Sequence, residues 1–487
     1  MKKLLLFISL IYSICLYTQE IMFLHTNDQH GSLQPYNYEE YEVIGLAERA
    51  FIIKSIKSVN ENIIILDAGD INTGQFESLY FQAKPDIEAY NNIGYDAFTL
   101  GNHEFYYGLE HLKTQMSWAQ FPFLCANIMY PDSTYITHPY IIKNMPNGLK
   151  VGIIGLTTSA KLYPIAEEIG IVVYDEIEVA QSIIPDLRKQ VDIVIVLTHM
   201  GFMEPFPFGS IRLANEVQGI DIIIDGDSHS FIEEPLIVKG TPIVQAGDRG
   251  KYLGKGILYH DIETKNVSLK EWIYIPLMRQ NDGVLAFETD PETSEIIKSY
   301  TDKLSEYKKI IANTNDDFTS TDIRNKQTSL GRMIGDAILS SVQKFSPDFA
   351  ITNSGGIRAS LPKGDITNID IENMYPFDNN IVVISLTGAD IIQIINKSVM
   401  EQKGTGGYLQ FSSNLSFLSS EGLVFGAMLN GFQIKPGSKY KVAVCSYLAT
   451  GGDGYEIIAK AEVLSDVDLQ ISDAIIEYLM MKYPVRK

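Results

Sequence analysis

The sequence predicts a layered α/β domain followed by a second α/β domain. Short runs of Ile, Val and Leu recur from Ile21 to about Ile275, each followed by a polar loop. The runs are near-continuous rather than alternating, as in strands covered on both faces. A polar, charge-mixed stretch from Asp290 to Lys309 breaks this pattern, and glycine-rich turns punctuate the chain beyond it. With 487 residues, each of two domains has enough chain to bury a core of its own.

At the N-terminus, Lys2 and Lys3 precede an apolar run from Leu4 to about Leu16, which reads as an export signal over 1–19. The run is too short for a comfortable membrane span, and no later stretch approaches about 20 apolar residues. The mature chain is therefore expected to lack a transmembrane segment and to work in the periplasm or at the cell surface. Cys15 would be the site of a lipid anchor, but Ile14 before it makes a poor lipobox. Signal removal leaves Cys125 and Cys445, which is no disulfide framework and leaves their pairing open.

The first domain is placed at 20–288, with strand-like runs at 21–25, 62–66, 97–100, 151–156, 192–197 and 220–224 and helices at 85–93 and 178–189. A linker helix is expected over 289–309, with Pro291 where a helix can start. The second domain covers 310–487, with glycine-rich turns at 354–356, 404–407 and 451–454. A formal net charge of −21 and a pI near 4.8 argue against binding a nucleic acid polymer or an anionic lipid surface. The chain has no GxxxxGK[ST] loop, which excludes the common NTP-driven machinery.

Polar residues of one chemical kind follow the apolar runs. Asp28 and His30 follow the first run, Asp70 the second, Asn102 and His103 the third, His199 the fifth, and Asp227 and His229 the sixth. In a layered α/β fold the loops at the carboxyl ends of strands form the ligand crevice. Asp and His are the usual ligands of borderline divalent metals, and Asn adds a neutral oxygen. Two such ions (zinc, manganese or similar) about 3.5–4 Å apart can polarise a phosphoryl oxygen and activate water together. They need a shared carboxylate, for which Asp70 is the candidate. One Asp or His after a strand is ordinarily a turn residue or a cap. Yet four of the eight histidines stand at these strand ends, whereas His25, His111, His138 and His260 lack that context and read as structural or surface residues.

The blocks HTNDQHG (25–31), DAGD (67–70), GNHEF (101–105) and THMG (198–201) resemble the signature blocks of the 5′-nucleotidase family of calcineurin-like metallophosphoesterases. The resemblance implies a layered metallophosphoesterase sandwich. It implies one metal held by Asp28, His30, Asp70 and His229, and a second held by Asp70, Asn102, His199 and the residue at 227. It gives His103 the role of stabilising the transition state or protonating the leaving oxygen. Two positions depart from the family pattern. Gly226-Asp227-Ser228-His229 stands where GHxH is usual, and Tyr106 replaces an Asp that pairs with the catalytic histidine. Tyr106 can offer His103 a phenolic hydrogen bond but no negative charge near neutral pH. Members acting on 2′,3′-cyclic nucleotides resemble GNHEFNYGL at this place.

NSGGIRASLPKGDIT (353–367), GGYLQ (406–410) and GGDGY (451–455) resemble the family's substrate domain. By that resemblance Arg324 and Arg358 contact phosphate, with Asn353, Gly355 and Gly356 in the same loop region; Arg358 joins His103 and Asn102 in catalysis. Arginine suits the task because its planar fork matches phosphate oxygens. Tyr408 and Tyr447 would sandwich the base and Asp453 would hold the ribose. With 27 Tyr and 22 Phe in the chain, the tyrosines alone would read as core. The expected function is metal-dependent hydrolysis of nucleoside 5′-monophosphates. Alternatives are a 2′,3′-cyclic nucleotide phosphodiesterase, a UDP-sugar hydrolase, or a catalytically impaired nucleotide-binding protein, which the two departures keep open.

Overall fold

The computed structural model describes residues 19–38, 41–201, 209–280, 287–305, 307–377, 379–401, 403–420 and 423–485. The expected export signal and Cys15 lie outside these residues, Gln19 excepted. Two compact units divide between Lys303 and Leu304.

The first unit is built on two six-stranded sheets. In one, Glu20–Thr26, Ile63–Asp67, Ala97–Thr99 and Phe123–Leu124 run parallel in that order, and Tyr252–His260 and Val267–Pro276 extend it antiparallel. In the other, Lys150–Thr157, Ile193–His199, Ile222–Ile224 and Thr241–Val244 run parallel, with Tyr140–Asn144 and Leu236–Val238 antiparallel at the edges.

Successive side chains on a strand point to opposite faces, and the packing follows that period. Ile21, Phe23, Ile64 and Leu66 of the first sheet meet Ile153, Ile193, Ile195, Leu197, Ile222 and Ile224 of the second in one core. Their neighbours Leu24, Ile63 and Ile65 face the other way, into a core that includes Ile53, Ile87 and Leu112 of three helices, Leu46–Ser58, Lys84–Ile93 and Leu109–Trp118. Ile154, Val194, Val196 and Ile223 likewise pack with residues of the helices Glu176–Leu187 and Gly209–Glu216. Helix, sheet, sheet, helix is thus the layer order, and the apolar runs are continuous because both faces of each strand are covered. Asp175 caps its helix by accepting from Ile177 N (3.0 Å) and Glu178 N (3.1 Å). A further helix spans Pro291–Leu304, where Asp290 accepts from Thr293 N at 2.9 Å.

The second unit has a five-stranded sheet in the order Leu409–Phe411, Phe349–Asn353, Lys439–Cys445, Asn380–Thr387, Glu462–Gln470. Phe349–Asn353 and Lys439–Cys445 are parallel, so their carboxyl ends open on the same edge. The helices Ser329–Ser341, Gly388–Met400 and Ile471–Lys482 bury Ile334, Ile338, Ile391, Ile395, Ile475 and Leu479 in its core. Thr387 opens Gly388–Met400 with a capping box completed by Asp390. Cys125 and Cys445 are buried and unpaired with one another. No helix among the described residues is long and apolar enough to cross a membrane.

Candidate functional site

The two units are described in turn. In the first, five of the polar residues at the strand ends adopt left-handed backbone: Asp28 (φ 50°), His30 (44°), Asp70 (60°), Asp227 (76°) and His229 (54°). Such conformations are uncommon outside glycine and persist where surrounding contacts over-determine them. Here the contacts are backbone rungs between loops. Asp28 N donates to Gly69 O and His30 N to Asp70 O, both at 2.9 Å, and Asp227 N donates to the Asp28 carboxylate at 3.1 Å. The buried Glu104 accepts four backbone N–H groups: Gly101 (2.7 Å), Asp70 (2.9 Å), Ile71 (3.0 Å) and Asn72 (3.2 Å). Residue 101 must be glycine, since a Cβ there would stand 2.1 Å from Asp70 Oδ1.

These loops gather the ligand-type atoms around Asp70. Its Oδ2 lies 3.1 Å from His199 Nε2 and 3.9 Å from both His30 Nε2 and His103 Nε2. Asp28 Oδ1 is 3.2 Å from His229 Nε2, which is 3.1 Å from His30 Nε2. Asp227 Oδ1 is 3.6 Å from His199 Nε2. Each histidine turns its other nitrogen outward. His199 Nδ1 donates to Ala68 O at 2.7 Å, His30 Nδ1 to Asn72 O at 3.2 Å, and His229 Nδ1 faces Asp248 Oδ2 at 3.7 Å. A carbonyl can only accept, so Nδ1 of His30 and His199 carries a proton, and the Nε2 of each faces the cluster. Burial opposes charge on His199, but Asp70 and Asp28 hold its pKa well above the ordinary value. Asp70, also disfavoured by burial, is held well below the carboxylate range by His199, His103 and His30.

Several contacts were invisible in the sequence. Asp227 is paired with Lys161 Nζ at 2.5 Å, across 66 residues of chain. The hydroxyl of Thr73 lies against His103 Nδ1, a neighbour 30 residues away in the chain. Tyr106 is 47% exposed and meets Tyr107 edge-on at 5.1 Å. Glu104 lies inside the GNHEF block, of which only Asn102 and His103 carry a role in the sequence reading.

In the second unit the parallel strand ends bring Asn353 to Asp453 (Nδ2 to Oδ2, 2.9 Å), and Tyr447 OH donates to the other oxygen of Asp453 at 3.1 Å. Gly355 N donates to Gly406 O at 2.9 Å and Ser354 N to Tyr408 O at 2.9 Å, so the NSGGIR and GGYLQ loops are laced together. The Arg358 guanidinium lies 5.1 Å over the Phe377 ring, and Gly356 is in the same loop, against Tyr375. Arg324 donates to Gly404 O at 3.0 Å. Tyr447 is 42% exposed, whereas Tyr408 is buried at 8%.

Residues 21–231 match the model of the calcineurin-like phosphoesterases, and residues 310–460 match that of the 5′-nucleotidase C-terminal domain. A 5′-nucleotidase of Vibrio cholerae is 32% identical over 518 residues, an alignment spanning 96% of this chain and 91% of the relative. The chain belongs to the 5′-nucleotidase family. Protein UshA of Escherichia coli is 30% identical over 492 residues, spanning 90% of this chain and 86% of its own. The structure of a 5′-nucleotidase precursor from Thermus thermophilus superposes with a TM-score of 0.79 at 26% identity, covering 96% of this chain and 97% of that one.

Members of the calcineurin-like 5′-nucleotidase family depend on metal, and the donor set of this one suits that chemistry. Among the described residues, three groups place ligand atoms within 4.8 Å of one another: Asp28, His30 and His229; His30, Asp70 and His103; Asp28, Asp70 and His199. Asn102 Oδ1 is buried and makes no hydrogen bond, an expensive condition for a polar atom unless a cation takes its lone pair.

Proposed function

We propose that this 5′-nucleotidase family member hydrolyses nucleoside 5′-monophosphates to nucleoside and phosphate with two divalent ions. The observation that carries the reading is the convergence of His30, His103 and His199 on one oxygen of Asp70. Asp28, His30, Asp70 and His229 would hold one ion, and Asp70, Asn102, His199 and Asp227 the other. Such ions polarise a phosphoryl oxygen and lower the pKa of water at the site. His103 Nε2 stands beside this cluster and, carrying a proton, would donate it to the departing oxygen. In the second unit Arg324 and Arg358 would bind phosphate oxygens, Tyr408 and Tyr447 the base, and Asp453 with Asn353 the ribose.

The amino-terminal Lys2-Lys3 and the apolar run behind them support export to the periplasm or cell surface. Turnover of AMP, UDP-glucose and 2′,3′-cAMP with several divalent metals tests the substrate class, AMP being the expected substrate. Asp70→Ala is expected to abolish turnover and to lower bound metal, measured by elemental analysis, from two equivalents toward one or none. Full metal content and an undiminished rate in that variant would overturn the two-ion reading.

A further inference from the structure

Thr73 stands in the loop that follows Asp70, and its backbone is left-handed, at φ 61°. A β-branched residue is a poor occupant of that region, so some contact has to hold it there. The flanking residues supply the hold. Asn72 N is gripped by Glu104, and Asn72 Nδ2 donates to His103 O at 3.2 Å. On the other side Gly74 is pressed so closely to the His30 loop that a Cβ would stand 1.6 Å from His30 O. Held in this way, Thr73 directs its hydroxyl onto Nδ1 of His103. The His103 backbone is fixed at the same time, its N–H donating to Asp70 Oδ1 at 2.9 Å.

We infer that Thr73 is a positioning residue of His103 in this chain, its hydroxyl meeting Nδ1 as a carboxylate would. A hydroxyl can donate to Nδ1 of the neutral ring or accept from Nδ1–H of the protonated ring. In either state Nε2 carries a proton and the ring keeps one orientation. The Nε2 side is the one that faces the Asp70 cluster, 3.9 Å from Asp70 Oδ2. Strain at Thr73 is therefore tied to the reaction, as strained residues at active sites commonly are. The inference rests on the reading of His103 as the group that meets the leaving oxygen.

The test compares Thr73→Val, Thr73→Ala, Thr73→Ser and His103→Ala in the full-length protein. Metal content, kcat and KM for AMP are measured, and the His103 ring tautomer is read from 15N NMR shifts of the zinc-loaded protein. Thr73→Val keeps the shape and loses the hydroxyl. It and Thr73→Ala are expected to lower kcat by about 10–100-fold, at unchanged metal stoichiometry and little-changed KM, and to mix the tautomers. Thr73→Ser is expected to restore kcat and the single Nε2–H tautomer. Wild-type kcat in both Thr73→Val and Thr73→Ala, or a fall in kcat that only follows lost metal, overturns the inference. If His103→Ala retains full turnover, the catalytic reading of His103 fails instead.

Discussion

Lys161 and Asp227 form an ion pair at the edge of the carboxylate and histidine cluster. The side chain of Lys161 is 50% exposed, yet its ammonium reaches the one carboxylate of the cluster that occupies an expected histidine position. The ammonium and a second divalent ion would compete for the same oxygen. Removing it, as in Lys161→Met, is expected to tighten binding of the second ion by about two- to fivefold, the scale of a partly exposed ion pair. Calorimetric titration of the metal-free protein measures this, and weaker binding in the variant would mean that Lys161 steadies Asp227 as a ligand. At this scale the sequence was legible where a polar residue stood at a strand end or in the loop just beyond it: Asp28, His30, Asp70, His199 and His229 come together in clusters that could hold a metal ion. Lys161 and Thr73 escaped because the residues they touch, Asp227 and His103, lie 66 and 30 residues away. Neither sits in a pattern that spacing could reveal.

Strands buried on both faces announce themselves, because each of their positions is apolar; the runs at 62–66 and 192–197 correspond to the strands Ile63–Asp67 and Ile193–His199. The helix Leu46–Ser58 was silent for the opposite reason. Its buried positions cluster in the first turns and include Glu48 and Arg49, which breaks any apolar period. The neighbouring helix Lys84–Ile93 carries a similar hidden charge. Asp86 is buried in its first turn, and burial pushes its carboxyl up to about 7, the Ser78 hydroxyl pulling the other way. Its unfolded value is about 3.9. The folded state is therefore favoured in full below about pH 4, and that contribution is lost as pH rises through about 7. Asp86→Asn should lose less stability than the wild type between pH 4 and 8. Thermal melts of the two proteins in matched buffers check the difference, and parallel pH profiles would refute it.

Each unit holds a separate core, that of the second running from Ala312 to Leu479 with every member inside the unit. A fragment of residues 304–487 is therefore expected to fold by itself, to melt in one transition, and to gain several degrees of Tm from saturating adenosine without metal. Tyr447→Ala should abolish that gain, since base stacking contributes about 1–3 kcal/mol; a fragment that melts without cooperativity would show that the core alone is insufficient. The first unit distributes its work differently. Glu104 ties Gly101, Asp70, Ile71 and Asn72 into a single knot of backbone. On the proposed reading, the entropy of assembling the ligands would be spent when the chain folds rather than when an ion arrives. A site built in this way would be a socket, emptied and refilled without the chain being remade.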